Sequence, residues 1–196
     1  SMDYGQKNRA ELNAAKKIAK YFSVVEHKIL TLPIGELGGS ALTDQNIDVK
    51  DYAENSGVPN VPNTYVPARN TIFLSMALGW AEILDADTIF IGANAVDYSG
   101  YPDCRPDYIA AFEKMANLAT VTALSGKKIH IETPLMHLFK SDIITLGTKL
   151  GVDYSMTVSC YRATPDGFAC GHCDSCTFRK KGFMQASIAD TTKYLA

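Results

Sequence analysis

The chain has 196 residues, 46% of them apolar and 20% charged, and its 19 Lys+Arg against 21 Asp+Glu leave a formal charge of −2 at pH 7. That length supports one domain with a real hydrophobic core, and the near-zero charge excludes the global basic field of a nonspecific nucleic-acid binder, which favours a small-molecule partner. The longest mostly apolar stretch, Ile72 to Leu84, is broken by Ser75, Gly79 and Glu82 and falls short of the roughly 18 residues a membrane span needs.

The amino terminus has no apolar core and so does not read as a signal peptide or an anchor; a cytoplasmic protein without a membrane partner is expected. Ser1-Met2 is expected to lie outside the fold, as an initiator or cloning remnant. Gln6 to Phe22 sets Leu12, Ala15, Ala19 and Phe22 at helical spacing with lysines on the other faces, an amphipathic helix. Ser23 to Leu30 is short and β-branched, which predicts a strand ended by Pro33 and Gly35. Residues 33–68 then turn to Gly, Pro, Asn and Asp, too long for an ordinary connection, and read as a lid, an interface arm or a partly disordered loop.

Ile72, Met76, Trp80 and Ile83 predict a helix over Arg69 to Leu84, followed by a buried strand at Thr88 to Gly92. Tyr108, Phe112, Met115 and Ala119 mark a helix running to about Leu124, Ile129 to Thr133 a strand, and Ile143, Leu146 and Leu150 a helix with Ser141 as N-cap and Gly151 as C′ residue. Strands alternating with helices predict parallel βαβ units, with ligands at the carboxyl ends of the strands. The basic run Phe178-Arg179-Lys180-Lys181 is expected to be a solvated helix face.

Five cysteines, an odd number with three inside seven residues, point to metal binding rather than disulfides. Cys160, Cys170, Cys173 and Cys176 offer four soft thiolates at spacings that converge on one tetrahedral ion. An iron–sulfur reading needs C-x2-C-x2-C-x3-C-P, which is absent, and His172 is a possible substitute ligand. Four cysteines close the coordination shell, so the zinc is expected to be structural and to fasten residues 152–196 to the core.

Asn94 to Arg105 follows the strand ending at Gly92, where an α/β sheet places its ligand site; it also reads as turn and capping chemistry leading into the next helix. Asp-Tyr-Gly-Gln (3–6), Asn-Thr-Tyr-Val-Pro-Ala-Arg-Asn (63–70), Asp-Tyr-Ser-Gly-Tyr-Pro-Asp-Cys-Arg (97–105), Glu-Thr-Pro-Leu-Met (132–136) and the cysteine cluster together resemble the ordered signatures of 7-cyano-7-deazaguanine synthase. Residues 134–142 are shared more loosely with ammonia-dependent NAD synthetase and GMP synthetase, related ATP pyrophosphatases of the PP-loop superfamily.

The resemblance implies a parallel-sheet, Rossmann-like α/β fold of the adenine-nucleotide α-hydrolase type, one domain over residues 3–196, with a C-terminal zinc-binding segment. It implies an ATP-dependent ligase of queuosine precursor synthesis that turns 7-carboxy-7-deazaguanine and ammonia into the nitrile, using two ATP with Mg2+ expected; a homodimer is expected because the long loop 33–68 lacks a local core, and no nucleic-acid partner because the charge is near neutral. Asp97 or Asp103 is then the candidate reader of the guanine-like edge, because a carboxylate accepts two adjacent N–H groups. Arg105 is the candidate for the substrate carboxylate, and Tyr98 or Tyr101 for stacking on the ring, with Ser99 and Gly100 between them. Arg69 and Lys140 are the catalytic candidates, neutralising ATP phosphates, and Cys104 is expected to pack.

One feature departs from the family. Its opening strand and Ser-Gly-Gly-x-Asp-Ser phosphate loop have no counterpart here, so the chain is expected to be a fragment, a natural truncation or an incomplete stretch, binding the deazapurine weakly without completing the nitrile. The alternatives are a catalytically incompetent zinc-bearing deazapurine-binding domain, or a tRNA sulfurtransferase of the same superfamily, which requires an exposed reactive thiol.

Overall fold

The computed structural model describes residues 1–52, 61–94 and 100–195. In chain order it contains β1 (Met2–Asp3), α1 (Ala10–Tyr21), β2 (Leu30–Thr31), α2 (Arg69–Ile83), β3 (Thr88–Phe90), α3 (Pro106–Ala119), α4 (Val121–Leu124), β4 (His130–Glu132), α5 (Lys140–Lys149) and α6 (Asp174–Ala186), with 3-10 turns at Pro33–Leu37, Pro102–Cys104 and Tyr154–Met156. Both strand pairs, β1 with β2 and β3 with β4, are parallel and joined through helices, as the alternation predicts. The chain belongs to a mixed α/β class with a cysteine cluster near its carboxyl end. None of the described helices is long and apolar enough to cross a membrane.

Contacts divide the chain into two units: residues 1–59, 63–67 and 140–196 form the first, and residues 60–62 and 68–139 the second. In the second unit, β3 and β4 turn Ile89 and Ile131 into a core with Leu74 and Leu78 of α2 and Ile109, Phe112 and Ala116 of α3, each large side chain contributing roughly 1.5–3 kcal/mol by burial. The far edge of β4 is satisfied by side chains. Asn117 Oδ1 accepts the Ile129 N–H at 2.9 Å, its Nδ2 donates to the Ile129 carbonyl at 2.7 Å, and Glu113 Oε2 accepts the Ile131 N–H at 2.7 Å.

The helix expected to run to Leu124 instead breaks at Thr120, which adopts extended backbone and caps α4 by accepting the Ala123 N–H at 3.3 Å. Glu82 adds a second cap, accepting from the N–H of Val121 at 2.6 Å and of Thr122 at 3.2 Å. The competition is between continuing one helix and three satisfied donors, and the caps win.

In the first unit, two expectations are corrected. Met2 is a strand residue, and Ser1 is tied in through its amine to the Lys28 carbonyl at 2.7 Å and its own carbonyl to the Leu30 N–H at 3.0 Å, so neither lies outside the fold. Of Ser23 to Leu30 only Leu30 joins a strand, because β1 is two residues long and gives the rest no partner; Val24 and Val25 are exposed. In the described part of residues 33–68, Ile34, Ala41, Val49 and Val66 are buried, and Ala41 and Val49 pack against three of the cysteines. Residues 53–60 lie outside the described set.

Helix α5 starts one residue before Ser141, which is therefore inside the helix and not its cap, whereas Gly151 takes the left-handed conformation (φ 79°) expected of a C′ residue. Helices α5 and α6 pack so closely that a Cβ on Gly182 would sit 2.8 Å from Lys140 Cβ and 3.0 Å from Ile144 Cδ1. Alanine gains about 1 kcal/mol over glycine in an isolated helix, but overpacking costs about 1–3 kcal/mol. Gly182→Ala is therefore expected to lower the melting temperature; a melting temperature raised by the substitution would show that the helices separate freely.

Candidate functional site

The polar strings of the second unit meet at the amino end of α2. Ala68 holds the N-cap position at φ 54° without a side-chain hydrogen bond, and Asp103 reaches in instead, its Oδ2 accepting the Asn70 N–H at 2.9 Å. Asn70 Nδ2 donates to the Asp103 carbonyl at 3.2 Å and to Cys104 Sγ at 3.1 Å. Cys104 is buried among apolar neighbours, as its packing role requires.

Arg69 opens α2, half-buried, one residue before Asn70. Tyr101 is half-buried against the core, Gly100 lies against Pro62, where a Cβ would meet ring carbons at 3.5 Å, and Arg105 is exposed at the N-cap of α3 with its Nε donating to the Pro102 carbonyl at 3.1 Å. The structure thus gathers Arg69, Tyr101, Asp103 and the backbone of Arg105 around the start of two helices. Asp97, Tyr98 and Ser99 lie outside the described residues. Lys140 belongs to the first unit, where it opens α5. Asn70, which residue type alone did not single out, is the residue that links the two strings; its signal was its place beside Arg69 in one of them.

The four-cysteine cluster is built in the first unit. Gly171 takes φ 85°, which turns the chain between Cys170 and Cys173 so that both sulfurs face inward. Cys173 is the N-cap of α6 and Cys176 lies in its first turn, where unpaired N–H groups and the helix dipole favour thiolates. Two backbone donors approach the Cys160 sulfur, the Arg162 N–H at 3.3 Å and the Cys170 N–H at 3.2 Å. All four Sγ atoms lie within 4.8 Å of one another, with 4.0 Å between Cys160 and Cys173 and 3.9 Å between Cys170 and Cys176. A tetrahedron of sulfurs ~2.3 Å from zinc has edges of about 3.8 Å, so the donor set fits one such ion, whereas a cluster of several irons needs its cysteines spread wider.

Protonation shows the same demand. Hydrogen bonds from Cys160 and Cys176 hold the Cys173 thiol far below its ordinary value. Donation to Cys173 pushes Cys160 up to about 11, and interaction with Cys160 and Cys173 pushes Cys176 up further still. Burial raises Cys170, but the N–H groups of His172 and Cys173 outweigh it and leave it lowered. Without a cation some thiols therefore keep their protons, and a bound divalent ion removes them.

Around this centre, sequence reasoning missed a polar collar. Asp51 pairs with Cys173 in a β-bridge, and its carboxylate meets Arg162 Nη2 and, at 2.7 Å, His172 Nδ1. Hydrogen bonds from Arg162 and then His172 hold the Asp51 carboxyl below its usual range. His172 thus faces the collar and is not among the four clustered ligands. The basic run is also not simply solvated. Arg179, 11% exposed, bonds to Asp190 at 3.3 Å, to Thr157 Oγ1 at 2.9 Å and to the Tyr154 carbonyl at 3.2 Å, while Lys180 and Lys181 lie over the rings of Tyr194 and Tyr52.

The family model described as queuosine biosynthesis protein QueC matches residues 1–187. The chain belongs to this family. A Coxiella burnetii (strain RSA 331 / Henzerling II) protein named 7-cyano-7-deazaguanine synthase is 65% identical over all of the chain and 85% of its own length. Proteins of the same name from Cellvibrio japonicus (strain Ueda107) and Solidesulfovibrio magneticus are 62% and 60% identical, each over 99% of the chain and 84% and 83% of their own lengths. The QueC family identity agrees with the resemblance read from the signatures.

The purified protein is expected to hold about one zinc per chain with little iron. Cys173→Ser is expected to lower zinc content and melting temperature together. Elemental analysis finding mainly iron, or a variant that loses zinc and melts unchanged, would contradict this assignment.

Proposed function

We propose that this QueC family chain acts in queuosine precursor synthesis as a 7-cyano-7-deazaguanine synthase, an ATP-dependent C–N ligase that converts 7-carboxy-7-deazaguanine and ammonia to the nitrile. The observation that carries the reading is the 65% identity, over the whole chain, to a protein of that name. A carboxylate is a poor electrophile, so its oxygen first attacks the α-phosphorus of ATP and releases pyrophosphate. Ammonia displaces AMP from the acyl adenylate and loses a proton, giving the amide. A second ATP adenylates the amide oxygen, again releasing pyrophosphate, and loss of AMP and protons leaves the nitrile.

Within this reading, Arg105 holds the substrate carboxylate, since its exposed guanidinium stands at the start of α3 and a planar fork matches a carboxylate in two bonds. Tyr101 and Tyr98 offer rings for the deazapurine, and Ser99 and Gly100 line the same segment. Arg69 and Lys140 each carry a cation suited to ATP phosphates, with Mg2+ as the partner of ATP. The four-cysteine centre takes zinc in a structural role, because its shell is closed.

We also infer a cytoplasmic homodimer with small-molecule partners and no nucleic-acid or membrane ligand. Ile83, Leu118, Val121 and Leu124 are 82, 75, 72 and 84% exposed, apolar surface of the kind association covers. The sulfurtransferase alternative is not favoured, because four of the five cysteines are buried and the fifth, Cys170, sits in the metal cluster.

This sequence, preceded by a Ser-Gly-Gly-x-Asp-Ser phosphate loop and supplied with 7-carboxy-7-deazaguanine, ammonia and ATP, is expected to release two AMP per nitrile formed. AMP release without nitrile, or none with the acid present, would refute the ligase assignment. Arg105→Lys is expected to weaken the acid by about tenfold more than the neutral nitrile, as measured by calorimetry. Equal losses for both ligands would remove Arg105 from the carboxylate.

A further inference from the structure

The two signature strings 63–70 and 97–105 are joined by reciprocal hydrogen bonds. Asp103 gives one carboxylate oxygen to the Asn70 N–H, and Asn70 returns both amide hydrogens, one to the Asp103 carbonyl and one to Cys104 Sγ. One residue along, Thr71 Oγ1 accepts the Tyr108 hydroxyl at 2.9 Å, so the first turn of α2 and the first turn of α3 are tied at both levels. Asp103 is only 7% exposed. A carboxylate reading a guanine-like edge must present both oxygens to two adjacent N–H groups of a ligand. Here one oxygen already accepts from a helix end whose N-cap residue Ala68 has no side-chain acceptor, and burial of the carboxylate leaves it little surface to present to a ligand.

We propose that Asp103 and Asn70 form a positioning clamp that sets Arg69 and Arg105 for the substrate, and that the base edge is read by a different acid. Arg69 precedes Asn70 directly and Arg105 lies two residues past Asp103, so the clamp fixes the backbone of both guanidinium carriers. The clamp accounts for three residues with one device: the buried acid, the asparagine beside Arg69, and Cys104, whose sulfur serves as an acceptor. Displacing a catalytic or binding group by about 1 Å costs roughly a hundredfold in rate. The role of the clamp in turnover rests on the function proposed above; its existence as a coupled pair does not.

The test uses the chemistry of asparagine. Asp103→Asn keeps an oxygen that accepts the Asn70 N–H but abolishes a carboxylate reader, whereas Asp103→Ala removes both. With 7-carboxy-7-deazaguanine as substrate, Asp103→Asn is expected to keep kcat/KM within about threefold of the unaltered protein. Asp103→Ala and Asn70→Ala are each expected to lose about tenfold or more, chiefly in kcat, and the double alanine variant to lose no more than either alone. Asp103→Asn falling as far as Asp103→Ala would restore Asp103 as reader and overturn the proposal. Alanine variants that melt lower but keep kcat well below their melting temperatures would overturn it too, leaving a merely structural cap. Melting temperatures of the same set separate the two inferences. Additive shifts overturn the clamp whatever the activity, while absence of turnover by the unaltered sequence preceded by its phosphate loop refutes the function it serves.

Discussion

Four thiols whose sulfurs all lie within 4.8 Å of one another cannot all ionise side by side without a cation among them, and the first unit is arranged around that requirement. Its apolar cluster is thin there. Ala41, Val49 and Ala169 are its buried non-cysteine members, and small side chains of this kind contribute only about 1–2 kcal/mol each by burial. Zinc binding in four-ligand peptides is worth roughly 10–16 kcal/mol. With zinc in the cluster, coordination would outweigh packing in this part of the fold, and residues far apart in sequence bond to the segments that carry the cysteines. Asn8 donates to the Cys160 carbonyl at 2.6 Å, Tyr52 donates to the His172 carbonyl at 3.0 Å, and Ala169 donates to Lys193 at 2.7 Å.

The second unit rests on a different balance. Its core is built from large aliphatic and aromatic side chains of α2, α3 and the β3–β4 pair, so no ion is needed to close it. What its polar residues supply is termination. Glu82 and Thr120 start α4, Asn117 and Glu113 finish the edge of β4, and Asp103 starts α2. The same economy explains why turn chemistry and ligand chemistry were hard to separate in residues 94–105: the string does cap a helix, and it presents Arg105 in doing so.

Most helices were legible, but not the faces they bury: Met76 and Ile83, which helped to mark α2, and Met115, which helped to mark α3, are exposed, so the apolar spacing was real and the inward stripe is a neighbouring one. Leu74, Leu78 and Ala81 face inward along α2, and Ile109, Phe112 and Ala116 along α3. The errors have local causes. A β-branched run at Ser23 to Leu30 has strand propensity but lacks a partner long enough to pair with it. The break at Thr120 depends on Glu82, 38 residues earlier, which no local window contains. The four cysteines could be read from spacing alone, since ligand chemistry restricts spacing; the Asp51–Arg162–His172 collar could not, because its members come from three separate segments. Arg179 looked like solvated charge because its partner Asp190 lies beyond the end of α6, outside the helical pattern.

Hydrogen exchange with and without a chelator tests most directly whether the cysteine centre organises the first unit. Stripping the metal is expected to speed exchange sharply at Tyr52 and Ala169, whose N–H groups bond to or across the metal-binding segment. Ile129 and Ile131, bonded to Asn117 and Glu113 within the second unit, are expected to keep their protection. Exchange that is unchanged at Tyr52 and Ala169 after complete loss of zinc would contradict the account.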